Sequence, residues 1–453
     1  MIAGMTKARI LADELRLSLL AALAGALVGI IGGAFLSAAE WGWSAFRHLV
    51  AAAGPAAAFG QALGLPLPGW VIGAALAAAM VVFATALTRR VAPEAAGGGT
   101  KEIEGIVEGR RPPVRWARVL PVKFAGALIG IASGLGIGPE GPCIHMGGAV
   151  GTMVGRGARQ SGEDQAVLLV AGAGAGMSVA FAAPLGGSLF VIEELRRGQP
   201  HNFIGIQAVL AASVSAVVTS SLLLGRGLGV PMPVPAMPGA LELALVVPLA
   251  VVIGAFGVFL NALMIAAVDV SHLIARRRWI VPPLLAGACA GALTAAWPDA
   301  AGSGTGVAVH LAEVPPGAGV VLALLLVRTL MFVSGYSCGI PAGVYAPQVA
   351  LGALLGSGYA LICAALLPAM PFAGQAFALV GIVALLTATG HAPLTSIVLV
   401  VEATQAVTML PALMLAAAVA NVTAVLLNGR PLQRLLLDRA LHLLPTHRWH
   451  HRT

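Results

Sequence analysis

The chain has 453 residues, of which 58% are hydrophobic and only 10% charged, where a soluble domain carries about 25% charged residues. Such a surface excludes a water-soluble globule and points to a chain that crosses a membrane several times. The formal net charge of +8 does not indicate a nucleic-acid partner. The basic residues gather at membrane flanks, at Arg89 and Arg90, Arg110 to Arg118, Arg196 and Arg197, Arg276 to Arg278, and in the tail from Arg430, the pattern of positive-inside topology signals.

The first segment, 1–15, mixes Lys7, Arg9, Asp13 and Glu14 and closes no short apolar core with a small-residue cleavage site. It reads as a cytoplasmic lead-in rather than a removable signal. Apolar stretches able to cross ~30 Å of hydrocarbon then run from Leu17 to Ala38, Trp70 to Leu87, Ile204 to Leu224, Leu241 to Val268 and Leu410 to Leu427. Shorter ones, Leu185 to Ile192, Ile397 to Val401, and Val320 to Val333 with Arg328 inside it, are expected to be half-helices or broken helices, which must be buried in protein. The Pro/Gly-rich segment 225–240 has Arg226 as its only charge and is expected outside the cell; the tail 429–453 is expected in the cytoplasm. Reaching the opposite face at mid-chain requires an odd number of crossings in each half, 16–224 and 241–428, which inverts one half relative to the other. The expectation is an all-α polytopic protein of the cell (inner) membrane, both termini cytoplasmic, with any regulation acting on the membrane core itself.

A repeat supports this division. Gly97-Gly-Gly-Thr100 is followed 41 residues later by Gly138-Pro-Glu-Gly-Pro142 and then by Ala183-Pro-Leu through Glu193. Gly302-Ser-Gly-Thr305 is likewise followed 41 residues later by Gly343-Val-Tyr-Ala-Pro347 and then by Ala392-Pro-Leu through Glu402. Repeats in which Gly and Pro interrupt apolar segments point to a transporter whose halves meet around a midplane site. The paired Gly138 and Gly343, and Pro142 and Pro347, read as turns that open helices. Helix N-termini present free N–H groups and a positive dipole end, so two of them converging would bind an anion without a buried cation.

Residues that break the repeat are candidates for function. Glu140 faces Tyr345 in the other half. A carboxylate at membrane depth is a functional candidate: ionised, it can occupy the anion site, and protonated, it can leave it, which makes a proton-coupled gate. The plainer alternative is a glutamate that neutralises the helix dipole. Glu193 matches Glu402, so both are expected to serve the shared architecture, ending a half-helix or pairing with a nearby base. Glu194 matches Ala403; it is either an interfacial partner of Arg196 and Arg197 or a proton entry point from the cytoplasm. The four cysteines, Cys143, Cys289, Cys338 and Cys363, read as small buried hydrophobes. His145 and His391 are relay candidates or packed histidines, and His447, His450 and His451 a solvated tail. Gly134-Leu-Gly-Ile-Gly138 lacks the strand and the acidic residue that a dinucleotide loop requires, and no metal or cofactor is expected.

Taken in order, Lys101-Glu-Ile-Glu-Gly105, Val114 to Lys123, Gly138 to Pro142, Ala183 to Arg196 and Gly343 to Pro347 resemble the CLC family of chloride channels and H+/Cl- exchange transporters, in its prokaryotic type without C-terminal CBS domains. The likeness covers about residues 15 to 440. It implies a homodimer of inverted-repeat subunits, each with its own anion pathway, with Glu140 as the external gate and Glu194 as the internal proton glutamate. The central anion site would draw on Gly98, Gly99, Gly138, Pro139 and Gly141, the backbone amides of Val344 and Tyr345, and, more weakly, Gln433. Two departures stand out: Gly98 replaces a serine whose hydroxyl contacts the anion, and Gln433 replaces a tyrosine. The serine in Gly302-Ser303-Gly304 belongs to the second-half copy and does not substitute for it. The function implied is voltage-sensitive-type transport of chloride or another monovalent anion, as H+/anion antiport. The alternatives are a passive proton-gated channel of the same fold, a fluoride-type exporter, whose branch also lacks the serine, and a non-transporting scaffold. The chain is not expected to be an enzyme.

Overall fold

The structure is a computed structural model that describes residues 7–52, 68–195, 203–225, 235, 238–304, 306–307, 317–367 and 374–442. Sixteen α-helices lie among these residues, with isolated bridges and no strand. The first half holds α1 (Lys7–Ala52), α2 (Gly69–Val91), α3 (Thr100–Val107), α4 (Trp116–Ala132), α5 (Glu140–Gly157), α6 (Gly162–Phe181), α7 (Pro184–Phe190), continued by a π turn (Val191–Leu195), and α8 (Phe203–Leu224). The second holds α9 (Ala240–Arg278), α10 (Val281–Ala296), α11 (Ala318–Ser337), α12 (Tyr345–Leu366), α13 (Gly374–Gly390), α14 (Pro393–Thr404) and α15 (Leu410–Leu426), followed by α16 (Leu432–His442). The two halves are inverted repeats of one another.

Among the described residues, eight helices are long and apolar enough to cross a membrane. The five long stretches read from sequence fall in α1, α2, α8, α9 and α15, and the two shortest in α7 and α14. The expectation for Val320 to Val333 is corrected: α11 is an unbroken helix of 20 residues. Arg328 does not interrupt it because the guanidinium donates to the carbonyls of Asp299 (2.8 Å), Ala301 (3.0 Å) and Gly302 (3.4 Å), so the charge is solvated by backbone. Two further spans, α6 and α12, are rich in glycine and alanine, which in α6 dilute the apolar signal to a mean hydropathy of 1.4. Those small residues let backbones touch: a Cβ on Gly352 of α12 would stand 2.7 Å from the Gly381 carbonyl of α13, and one on Gly147 of α5 would run into the Gly172 carbonyl of α6. Close approach of this kind is how helices associate where water supplies no hydrophobic drive.

The halves are stitched at the centre by main chain. Gly138 N–H donates to Gly343 O (3.0 Å) and Gly343 N–H to Gly138 O (2.8 Å). Beside this bridge, Gly97 N–H donates to Ile340 O (2.9 Å) and Ala342 N–H to Gly97 O (3.1 Å). Cys143, Cys338 and Cys363 are buried, but Cys289 is exposed, a correction to the reading of all four as core: it lies on the outward face of α10. Most of the 225–240 segment, Arg196, Arg197 and the histidines of the tail lie outside the described residues.

Candidate functional site

The two repeated turns meet back to back through the Gly138–Gly343 bridge, and each opens a helix: Pro139 is the N-cap of α5 and Val344 that of α12. The unpaired first-turn N–H groups of both helices therefore point at one place. The Glu140 carboxylate fills it. It is 2% exposed and faces the N–H groups of Glu140 itself and of Ala346 on α12. A Cβ on Gly343 would stand 2.8 Å from Oε2, and one on Gly138 would collide with it. Oε2 has no hydrogen-bond partner, so this buried carboxylate is held by helix ends and not by a cation.

The loop of Gly97 to Gly99 forms the adjoining wall. A Cβ on Gly141 would meet Gly98 Cα at 2.8 Å and Gly343 Cα at 3.0 Å. Gly99, the N-cap of α3, has φ +95° and turns its α-carbon against the His145 ring, leaving no space for a side chain. At Gly98, by contrast, an added Cβ would find only the Ala342 carbonyl, at 3.6 Å. Lys123, fully buried, fixes this loop by donating to Ala95 O (3.0 Å) and Gly97 O (2.5 Å). Its role went unread in the sequence. The available signal was its match with Arg328, which grips the corresponding loop of the second half in the same way.

On the other side of the site the side chains diverge from the repeat. Glu194 is 5% exposed and accepts a hydrogen bond from Tyr345 Oη at 2.8 Å. Arg196 and Arg197, its other expected partners, lie outside the described residues. The Tyr345 ring stands edge-on to Phe181 and Phe190, with centroids 6.5 and 6.1 Å away. Gln433 of α16 is 3% exposed, and its Oε1 has no partner. Sequence reasoning named the Tyr345 backbone and missed the phenol, since a contact across 151 residues leaves no local trace.

Glu193 and Glu402 lie apart from this chain. Glu193 accepts from Leu394 N–H (3.1 Å), Thr395 N–H (2.6 Å) and Thr395 Oγ1 (2.6 Å) at the start of α14. Glu402 accepts from Leu185 N–H (3.1 Å) and Gly186 N–H (2.7 Å) at the start of α7. The carboxylates that were expected to end half-helices or pair with a base thus serve the first turns of the opposite half-helices.

Around the site, a cavity of about 630 Å³ opens onto Pro139 and Glu140 and is lined also by Arg47, Asp299, Ser303 and Arg328. Ser303 belongs to this approach and not to the turn. His145 is fully buried, packed edge-on to Trp116 at 5.5 Å with both ring nitrogens unpartnered; His391 ends α13 with φ 54°. Helix α16 is tied to α3 and the turn that follows it by Arg434 to Glu104 (3.1 Å) and Glu108, and by Asp438 to Arg110 (2.9 Å), while Arg430, just before α16, also reaches Asp438 (2.6 Å). The Glu108 hydrogen bond holds the Arg434 guanidinium above its ordinary value. Among the described residues no cluster of three or more His, Cys, Asp or Glu could hold a metal.

The profile of the family described as Voltage gated chloride channel matches residues 80–425. The H(+)/Cl(-) exchange transporter ClcA of Vibrio cholerae is 37% identical over 383 residues, spanning 84% of this chain and 82% of that protein. The transporter of the same name from Cronobacter sakazakii is 36% identical over 434 residues, spanning 94% and 90%. Among solved structures, a slow cyanobacterial Cl-/H+ antiporter superposes with a TM-score of 0.85 at 28% identity, covering 94% of this chain and 98% of that one.

Proposed function

Since the chain belongs to the voltage gated chloride channel family, we propose that it exchanges a monovalent anion, chloride foremost, for protons across the cell membrane, with both termini in the cytoplasm. The observation that carries this reading is the Glu140 carboxylate seated between two helix N-termini, with a second buried carboxylate, Glu194, tied to the first residue of one of those helices. An ionised Glu140 competes with the anion for the same N–H groups. On protonation it loses its attraction to the positive helix ends and vacates them, so proton uptake and anion entry become one event. Glu194 exchanges protons with the cytoplasmic side. A passive channel would have no use for this second carboxylate. The backbone of Gly98, Gly99, Gly138, Gly141, Val344 and Tyr345 supplies the anion site, with Pro139 starting α5 beside it.

The working unit on this reading is a homodimer. Helices α7 and α14 have 7 and 12 residues, too few to span hydrocarbon, and their Leu185 and Leu394 are 53% and 55% exposed. Covering these short helices with a second copy keeps their ends away from lipid.

Anion-dependent proton flux in liposomes containing the purified protein tests the proposal, with chloride, bromide, nitrate and fluoride compared. Chloride-driven proton uptake is expected. Chloride flux with no proton movement would make the protein a channel and overturn it.

A further inference from the structure

Helices α2 and α10 run antiparallel and touch by main chain: a Cβ on Gly287 of α10 would stand 2.7 Å from the Ala77 carbonyl of α2, and one on Gly291 would run into the Gly73 carbonyl. This close pairing carries the last turn of α2, with Arg89 and Arg90, past the corner where α9 ends at Arg278 and α10 begins at Val281. Trp279 fills that corner, half-buried, and the Arg89 guanidinium lies over its ring, 5.6 Å from the centroid. Arg276, Arg277 and Arg278 form the last turn of α9 directly before it. These arginines are all exposed, and among the described residues none of them pairs with a carboxylate. Asp269, earlier on α9, is taken by Arg439 of α16 at 2.5 and 2.6 Å. Beside the arginines the surface turns apolar: Leu273 and Ile274 of α9, Ile280, and Leu284 and Leu285 of α10 are exposed.

Arginines in a last turn offset the helix dipole, and basic flanks orient a chain in the membrane. Neither duty requires two helix ends to be clasped into one cluster. A guanidinium is planar and meets phosphate oxygens in bidentate pairs, and basic residues at a helix end beside the bilayer attract acidic lipids. We propose that the Arg89–Trp279 corner, with Arg90 and Arg276 to Arg278, binds the headgroup of an acidic phospholipid whose chains lie along Ile280, Leu284 and Leu285. The cation–π contact holds Arg89 against the end of α9, so one headgroup meets charges from two helices. A lipid brings phosphate to the arginines and hydrocarbon to the apolar residues beside them; free phosphate would leave that apolar surface unused. The corner lies at the end of the molecule where α16 is bound through Asp269, the end that the reading of cytoplasmic termini turns inward.

Native mass spectrometry of the purified protein, titrated with cardiolipin and with phosphatidylethanolamine, tests this. Cardiolipin should stay bound under conditions where phosphatidylethanolamine, which has no net charge, dissociates. Arg277→Gln with Arg278→Gln should weaken cardiolipin binding roughly 25-fold, about fivefold for each arginine facing an anionic headgroup. Arg115→Gln with Arg118→Gln removes the same charge from exposed arginines at the start of α4, and should shift binding by no more than about twofold, the scatter of uncoupled sites. Trp279→Leu keeps every charge but releases Arg89, and should weaken binding about threefold, the worth of an exposed cation–π contact. Equal weakening by the two arginine pairs, or unchanged binding in Trp279→Leu, would leave only a diffuse attraction of basic flanks and overturn the site. Equal binding of the two lipids, or none of cardiolipin, would overturn it as well. The assay reads lipid and not transport, so its outcome is independent of the antiport reading.

Discussion

Glu193 and Glu402 each cap the helix that carries the other: the carboxylate following α7 closes the start of α14, and the carboxylate within α14 closes the start of α7. Two short helices that could not satisfy their own first-turn N–H groups at membrane depth do so by exchange across the repeat axis. The neighbouring Glu194 instead accepts from Tyr345 Oη, so adjacent carboxylates face different partners.

Glu193→Gln and Glu402→Gln should therefore each cost about 1.5–3 kcal/mol, the value of a hydrogen bond to a charged acceptor, and lower the midpoint of thermal unfolding in detergent. The folded fraction should keep its proton-to-anion ratio in liposomes. Loss of proton movement in Glu193→Gln equal to that in Glu194→Gln would refute the division of roles.

Glu140→Gln should abolish proton coupling while anion flux persists, because a neutral side chain no longer competes for the helix N-termini. Parallel recordings of chloride efflux and external pH from the same liposomes check this, and proton pumping that survives the substitution would remove Glu140 from the gate.

Lys123→Met and Arg328→Met test the two buried cations that hold equivalent loops. Each removes hydrogen bonds to backbone carbonyls, at roughly 1–3 kcal/mol for each carbonyl left without a donor; Gly97 O keeps that of Ala342 N–H. Both variants should give less folded protein on size exclusion, Arg328→Met losing three carbonyl contacts and Lys123→Met two.

Gly98 and Gly99 should part company. Gly98→Ser fits, since an added Cβ meets only the Ala342 carbonyl at 3.6 Å, and its hydroxyl should tighten chloride binding from the weak level expected of a site built on backbone, on the order of 1 mM or about 4 kcal/mol. Gly99→Ala meets both a positive φ and the His145 ring, and should fail to fold. Calorimetry on the first and expression yield of the second decide the matter; submillimolar binding by the wild type would show that other groups already supply the missing contact.

Much of this was legible in the sequence because it repeats. The turns at Gly138 and Gly343 could be paired without a structure, and pairing them exposed Glu140 and Glu194 as unmatched. The membrane-spanning set was less legible: α6 is rich in small residues that pack backbone to backbone, and α11 hides a cation satisfied by carbonyls from a loop far upstream. The Tyr345 to Glu194 hydrogen bond and the exchanged caps were beyond reach, because both are meetings of distant segments. The Lys123 and Arg328 pair was within reach, for the repeat that aligned the glycines aligns them too.

The glycine wall has a consequence for how such a protein can change. At Gly141 and Gly343 an added carbon would strike backbone, and at Gly138 it would strike the Glu140 carboxylate, so on the proposed reading the surface that meets the anion is main chain and cannot be edited one residue at a time. A shift of substrate preference has to enter at Gly98 or from the flanks, at Tyr345 and Gln433. A lineage can therefore explore new anions at those few positions while the scaffold that moves protons stays as it is.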